Sequence, residues 1–243
     1  MPRLSAEARM LVWNLERRQL TSRAGKLQAE CIAAMNCDAA VLTETWTGWP
    51  DLLGGYETSV FGAVWSPTQP DERKILMWSK SPWSDERVCT FEDDPIGRIV
   101  AATTITPIGP LRIIGVCIPY SHANVRHKSM PVPPWHEHRR YISQLSRFLT
   151  QQPSDMPTIV AGDFNQRVPR TRAPRDLHDF LLQSLGSLTI LTAGEHCDDK
   201  IRLIDHMAAS HDLEVRGLSL VVPPSVGLRP VTDHVGALLR FSR

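Results

Sequence analysis

The segment Thr158-Ile-Val-Ala-Gly-Asp-Phe-Asn165 is a short β-branched run that ends, through Gly162, in an acid and an amide two residues apart. Side chains along a strand alternate faces, so Asp163 and Asn165 are expected to leave the strand end pointing the same way. Gly162 allows the backbone to turn or to approach a ligand closely. An acidic oxygen beside an amide suits a hard cation, a phosphate or an activated water, although the same residues also serve as simple turn or cap residues. Further polar groups sit at the edges of strand-like runs. Asn14 ends Met10-Leu-Val-Trp13 and Glu44 follows Ala40-Val-Leu-Thr43. Asp205 and His206 follow Ile201-Arg-Leu-Ile204, and Asp233 and His234 precede Val235-Gly-Ala-Leu-Leu239. Each alone reads as a turn; together, five edges with carboxylate, amide and imidazole chemistry read as a site.

Such edges need strands to carry them. Candidates are 10–14, 40–44, 74–79, 98–106, 111–118, 157–162, 202–208, 214–221 and 235–241, mostly β-branched and bounded by Gly, Pro or Asp. Helical periodicity appears over 21–36, 135–150 and 176–185, with Thr21 or Ser22 available to cap the first. Pro107-Ile-Gly-Pro110 suggests a hairpin, and Met130-Pro-Val-Pro-Pro134 a loop leading into a helix. Consecutive strands with few helices between them argue for sheets packed on each other with helices outside.

In order along the chain, Trp13-Asn14, Thr43-Glu44-Thr45, Gly162-Asp163-Phe164-Asn165, Leu203-Ile-Asp205-His206 and Thr232-Asp233-His234 resemble the endonuclease/exonuclease/phosphatase superfamily. That group includes DNase I, abasic-site endonucleases, sphingomyelinases and inositol polyphosphate 5-phosphatases. The resemblance implies an α/β fold of the DNase I-like kind. This is a four-layer α/β/β/α sandwich in which two mostly antiparallel sheets pack face to face between outer helices. It implies that Glu44 and Asn14 hold a divalent metal, Mg2+ with Mn2+ as a possible substitute, and that Asp233 completes the acidic cluster near it. Asp163 would orient or deprotonate the attacking water, and Asn165 would hold a phosphate oxygen. Asp205 would pair with His234 and fix its tautomer, leaving His234 to contact the scissile phosphate.

One region departs from the pattern. The superfamily often carries a Tyr or His after its middle strand, where this chain reads Gly115-Val-Cys-Ile-Pro-Tyr-Ser-His122. The register puts Cys117 where the abasic-site enzymes have Tyr, with Tyr120 and His122 just beyond. His122 is the favoured phosphate-side donor and Tyr120 the second, with Glu72 as a possible partner orienting His122. Arg98 resembles a position that often contacts phosphate.

Length and composition bound the rest. The 243 residues read most economically as one domain, 1–243, and 42% hydrophobic content supports a substantial core. A net charge of +1 announces neither a nucleic-acid binder nor a membrane protein, though a local basic patch can still serve a polyanion. The five cysteines include no C-x-x-C pair, so zinc is not expected. The run Met10–Leu15 is short, holds Asn14 and reads as a strand; with the odd cysteine count it leads to an expected cytoplasmic location. No window approaches the ~20 apolar residues of a membrane span.

The loop after Asn165 carries the clue to substrate. Arg167, Arg170, Arg172 and Arg175 form either a solvated basic loop or a phosphate-contacting rim. Arg126-His-Lys128 and Arg139-Arg140 could extend it, and Trp46, Trp49 and Trp135 either flank the site or act as core lids. His206 should face away from Asp205 and be structural, and His136-Glu-His138 lacks the H-E-x-x-H spacing of a metal motif. The expected function is a metal-dependent phosphodiesterase. It would be a nuclease hydrolysing DNA or RNA by in-line attack of an activated water. The alternatives are a phosphatase or phosphodiesterase acting on inositol phosphates, phospholipid head groups or nucleotides, and a non-catalytic member that binds nucleic acid or a partner.

Overall fold

Strands apolar on both faces must be covered on both faces, and that requirement sets the architecture. In β1 (Ala8–Asn14), Met10 and Val12 face one way and Leu11 and Trp13 the other, and all four are fully buried. The computed structural model describes residues 6–59, 69–91, 94–126, 129–153, 155–197 and 201–243.

One six-stranded sheet runs β13 (Glu214–Val221), β16 (Gly236–Ser242), β1, β2 (Ala39–Trp46), β4 (Glu72–Ser79) and β3 (Tyr56–Ser59). The other runs β5 (Trp83–Phe91), β6 (Asp94–Thr106), β7 (Gly109–Cys117), β8 (Thr158–Asp163), β12 (Asp205–Ala209) and β9 (Thr189–Ile190). Each sheet contains a single parallel pair at its centre, β1–β2 and β7–β8, and is otherwise antiparallel. Two short ribbons, β10 (His196–Cys197) with β11 (Ile201–Arg202) and β14 (Ser225–Val226) with β15 (Arg229–Pro230), decorate the connections.

Between the sheets lie Met10, Val12, Val41, Ile75, Met77, Val100, Ile113, Ile159 and Leu239. The outer face of the first sheet, with Leu11, Trp13, Leu42 and Trp78, is covered by Ile32 of α1 (Arg23–Met35) and by Trp49 of the short α2 (Trp49–Leu53). The outer face of the second sheet is covered by Tyr141, Ile142 and Leu145 of α3 (His136–Thr150) and by Leu177 and Leu181 of α4 (Arg175–Ser184). These are the four expected layers. Ser22 caps α1, its Oγ accepting from the Gly25 N–H at 3.0 Å, and Asn36 ends it in the left-handed conformation. Among the described residues no helix is long and apolar enough to cross a membrane.

Two differences from the sequence reading matter for the site. The expected strand 202–208 is broken: pairing stops after Arg202 and resumes at Asp205, and the Ile204 carbonyl accepts from the Phe164 N–H at 2.9 Å. Asp205 therefore starts a strand directly opposite Asp163, which ends one. Gly162 has φ 145°, and a Cβ there would lie 1.8 Å from the Val116 carbonyl oxygen. The close approach it permits is thus to β7, not to a ligand. Strand β5 was not expected, because Ser84, Asp85, Glu86 and Arg87 give it a polar reading and its pairing with β6 is irregular.

Candidate active site

The ends of β1, β8 and β12 meet at one mouth of the sandwich, and each ends or begins with a polar residue. Asp163 is the hub. Its Oδ1 accepts from the Asn165 N–H at 2.8 Å, and its Oδ2 accepts from Asn165 Nδ2 at 2.8 Å and Asn14 Nδ2 at 3.1 Å. All three contacts are donors, which favours the ionised carboxylate. Burial opposes that and raises Asp163 to about 7; the His234 imidazolium pulls it down and the Asp205 carboxylate pushes it up. One lone pair of Oδ1 remains for a water.

Asn165 does not reach Asp163 by strand parity. The strand ends at Asp163, and Asn165 turns back through a left-handed conformation, φ 49°. Its second Nδ2 hydrogen goes to the Ile118 carbonyl at 2.9 Å. Both amide hydrogens are therefore spent inside the protein. Asn165 is the residue expected to hold a phosphate oxygen, and in this arrangement both of its side-chain donors have protein partners. Its geometry is that of a clamp on Asp163.

Asp205 is fully buried and divides its oxygens between two donors. Oδ2 accepts from the Asn14 N–H at 2.9 Å and Oδ1 from His234 Nδ1 at 3.1 Å. The acceptor on Nδ1 keeps the proton on that nitrogen, so Nε2 carries an outward N–H when the ring is charged. Burial alone would depress His234, but Asp205, then Asp163 and Asp233, outweigh it and raise the imidazole to about 10. Backbone contacts lock the segment: Trp13 Nε1 donates to the His234 carbonyl at 3.1 Å, and Thr232 Oγ1 donates to the Asn14 carbonyl at 2.9 Å.

Glu44 lies on the neighbouring strand end, at φ 49°, with Glu16 and Arg17 also at positive φ, 51° and 54°. Non-glycine residues pay roughly 1 kcal/mol or more for such conformations, which tend to gather at functional sites. Lys74 Nζ donates to Glu44 Oε1 at 2.9 Å, and Arg17 Nη2 stands 3.7 Å from Oε2. Burial alone would raise Glu44, but these two cations hold its carboxyl below the ordinary value.

Oxygen donors suit a hard divalent cation, and Glu44 with the side-chain Oδ1 of Asn14 fits one. Asn14 Oδ1 accepts from the Glu16 N–H at 2.9 Å and keeps a lone pair. The buried Glu72 Oε1 beside them has no hydrogen-bond partner, a further pull on a cation. Asp163, Asp205 and His234 also lie within 4.8 Å of one another, but their facing atoms are committed to each other and to the two asparagines. Asp233, expected near the metal, flanks His234: its carboxylate is 3.6 Å from Nε2 and its side chain is 77% exposed.

Other expected residues are placed less centrally. Arg98 reaches the mouth, donating to the carbonyl of Cys117, which pairs in register with Asp163. Cys117 itself is buried, and burial pushes its thiol up to about 12, so it is no proton donor at neutral pH. Tyr120 and His122 sit exposed on the turn after Ile118. The His122 ring bonds Ser121 Oγ at 2.9 Å, and the expected Glu72–His122 pair is not made: Glu72 lies 3.8 Å from Arg17 Nε. Strand β4 buries Glu72, whereas His122 lies on an exposed turn. Arg167 is half-buried on the loop after Asn165, and Arg170 donates to the Ala173 carbonyl at 3.1 Å. Arg139 pairs with Asp176 and Arg140 with Glu137, tying down the outer helices instead of extending a rim. His127 and Lys128 lie outside the described residues. Trp49 is a core lid with no exposure, whereas Trp46, two residues past Glu44, donates to the Arg17 carbonyl at 3.0 Å beside the site.

Behind the Asp163–Asn165 turn lies a buried histidine relay that the sequence reading missed. His138 Nδ1 donates to the Pro119 carbonyl at 2.7 Å, and its Nε2 accepts from Gln166 Nε2 at 2.8 Å. Gln166 Oε1 accepts from His178 Nδ1 at 3.1 Å. His206, fully buried, donates from Nε2 to the Gln166 carbonyl at 3.1 Å and accepts from Thr192 Oγ1 at 2.8 Å. Every donor meets an acceptor only with neutral rings, and burial pushes His138 and His206 down to about 4. Gln166 directly follows Asn165, so the relay holds the turn that clamps Asp163.

No curated protein matches the sequence. Solved structures match the fold at low identity. Humanized D. rerio TDP2 is 13% identical with a TM-score of 0.71, over 98% of this chain and 100% of that one. The 3'-5' exonuclease NExo from Neisseria meningitidis is 17% identical with a TM-score of 0.69, over 97% and 100%. Sphingomyelinase C from Streptomyces griseocarneus is 15% identical with a TM-score of 0.61, over 98% and 99%. The sequence itself matches the endonuclease/exonuclease/phosphatase family over residues 11–234, nearly its whole length, and the chain belongs to that family of phosphate-ester hydrolases.

Proposed function

We propose that residues 1–243 form one catalytic domain that hydrolyses phosphodiester bonds in DNA or RNA with Mg2+, or Mn2+ in its place. The observation that carries the reading is the hydrogen-bonded unit of Asn14, Asp163 and Asn165 set against Asp205 and His234. Asp163, raised to about 7 chiefly by burial, is poised as a general base near neutral pH and receives the proton of the attacking water on Oδ1. Asn165 and Asn14 fix its orientation. His234, held charged by Asp205, presents Nε2–H to a phosphate oxygen whose negative charge grows in the transition state. A divalent cation on Glu44 and Asn14 would supply positive charge against the phosphate.

Nucleic acid is favoured over a small phosphoester by the arginines, Arg167 and Arg170 first, that follow the catalytic turn, and by the exonuclease among the structural neighbours. Arg98, at the mouth, would bind a phosphate of the same strand. The free thiols of Cys31, Cys37, Cys89 and Cys117 agree with a cytoplasmic location. The test is hydrolysis of labelled single- and double-stranded DNA, an abasic-site duplex, RNA, inositol phosphates and bis-p-nitrophenyl phosphate with Mg2+, Mn2+ or EDTA. Metal-dependent cleavage of a nucleic acid is expected. Cleavage of inositol phosphates alone would move the substrate, and salt-sensitive nucleic-acid binding without turnover would remove the enzyme.

A further inference from the structure

Lys74 is the unusual residue of this site. It is 4% exposed, stands at the head of the apolar run Ile75-Leu-Met-Trp78, and lies directly across from Glu44 in the β2–β4 register, between the pairs Thr43–Ile75 and Thr45–Arg73. Its ammonium takes Glu44 Oε1 at 2.9 Å. Burying a lysine is costly unless its charge is met, so Lys74 and Glu44 hold each other in place. Two residues earlier, on the same face of β4, Glu72 is 5% exposed and its Oε1 has no hydrogen-bond partner. Arg17 approaches that oxygen only to 3.8 Å.

We propose that Lys74 is the cation a divalent metal must displace from Glu44, and that Glu72 receives the displaced ammonium. The inference rests on the reading of Glu44 as a metal ligand. A divalent cation on Glu44 would repel an ammonium 2.9 Å from Oε1, and the buried acceptor on Glu72, two residues away on the same face, lies within the swing of a four-carbon stem. Lys74 then sets how much metal the site demands. It keeps the Glu44 carboxylate compensated when metal is scarce and yields it when metal is abundant. Lys74 is a positioning residue in this scheme and touches no substrate.

The experiment is Mn2+ titration of the full chain by calorimetry and electron paramagnetic resonance, with wild type, Lys74→Met, Glu72→Gln and Glu44→Gln. Lys74→Met should bind Mn2+ at least tenfold more tightly, a gain that structural damage does not produce. Glu72→Gln should bind at least threefold more weakly. Mg2+ should shift the side-chain 15Nζ resonance of Lys74, assigned by its loss in the Met variant, and this readout in wild type stands even if that variant melts early. Equal or weaker Mn2+ binding in a folded Lys74→Met overturns the inference, as does an unmoved Lys74 resonance at saturating Mg2+. If Glu44→Gln binds Mn2+ as wild type does, the metal reading of Glu44 falls and this inference with it. If Glu44→Gln abolishes binding while Lys74→Met leaves it unchanged, only the role of Lys74 falls.

Discussion

Replacing Asp205 with Asn tests the electrostatic heart of the site. The mutation keeps shape and volume but removes the charge 3.1 Å from His234 Nδ1. At an effective dielectric of about 20, two unit charges at that distance interact by about 5 kcal/mol, or about 4 pK units. The rise of His234 from 6.5 to about 10 is of that order, with Asp163 and Asp233 contributing part of it. The new amide oxygen is claimed by the buried Asn14 N–H, which leaves an NH2 facing Nδ1 and turns that nitrogen into an acceptor. His234 should then be neutral at pH 7, its pKa lowered by two units or more. The assay is imidazole 13C and 15N shifts against pH in both proteins, beside a pH–rate profile. In wild type the raised pKa adds stability that is full below about 6.5 and is lost as pH rises through about 10. Asp205→Asn should lack that alkaline slope, and its kcat should drop by roughly 10²- to 10⁴-fold. If His234 titrates within half a unit of wild type in the variant, Asp205 does not hold its charge and the reasoning fails.

Other perturbations bear on the frame around that pair. Gly162→Ala drives a Cβ to 1.8 Å from the Val116 carbonyl, so β7 and β8 must part; urea unfolding should show a loss of about 3 kcal/mol or more, and a loss below about 1 kcal/mol would show that the strands separate easily. His138 and His206, pushed down to about 4, refuse protons that the unfolded chain accepts below about 6.5. Stability should therefore fall as pH drops from about 6.5 to 4, by roughly 2 kcal/mol per histidine at pH 5, and equal unfolding free energies at pH 7 and 5 would contradict the neutral relay. Asn165→Ala removes one donor to Asp163 and should raise the acidic limb of the pH–rate profile with about tenfold loss of kcat; an unmoved limb with a raised KM would make Asn165 a substrate contact instead.

The strands were legible because their runs are short, β-branched and cut off by Gly, Pro or Asp. Residues such as Leu11 and Leu42 show the limit, since being buried on both faces erases the alternation that tells inside from outside. The site was legible as a set of strand ends. Asn14, Glu44, Asp163, Asp205 and His234 interact at one mouth because β1, β2, β8 and β12 all end or begin there. What parity could not give was the left-handed turn at Asn165, which spends its amide on Asp163 and Ile118. Lys74 was hidden by its position, because a charge at the head of an apolar run reads as solvated until the register sets it opposite Glu44. The signal for Gln166 and its histidines was weaker still: His138, His178 and His206 come from three separate elements and meet only in the fold.

Single-turnover cleavage of the best nucleic-acid substrate, with Mg2+, by wild type and Asp163→Asn tests the central claim most directly, with melting curves to show that both are folded. The account predicts that the variant cleaves at least 10²-fold more slowly at pH 7, consistent with loss of a general base. Cleavage by the folded variant within tenfold of wild type would contradict it, because the hub of the hydrogen-bonded unit would then not be the group that activates the water.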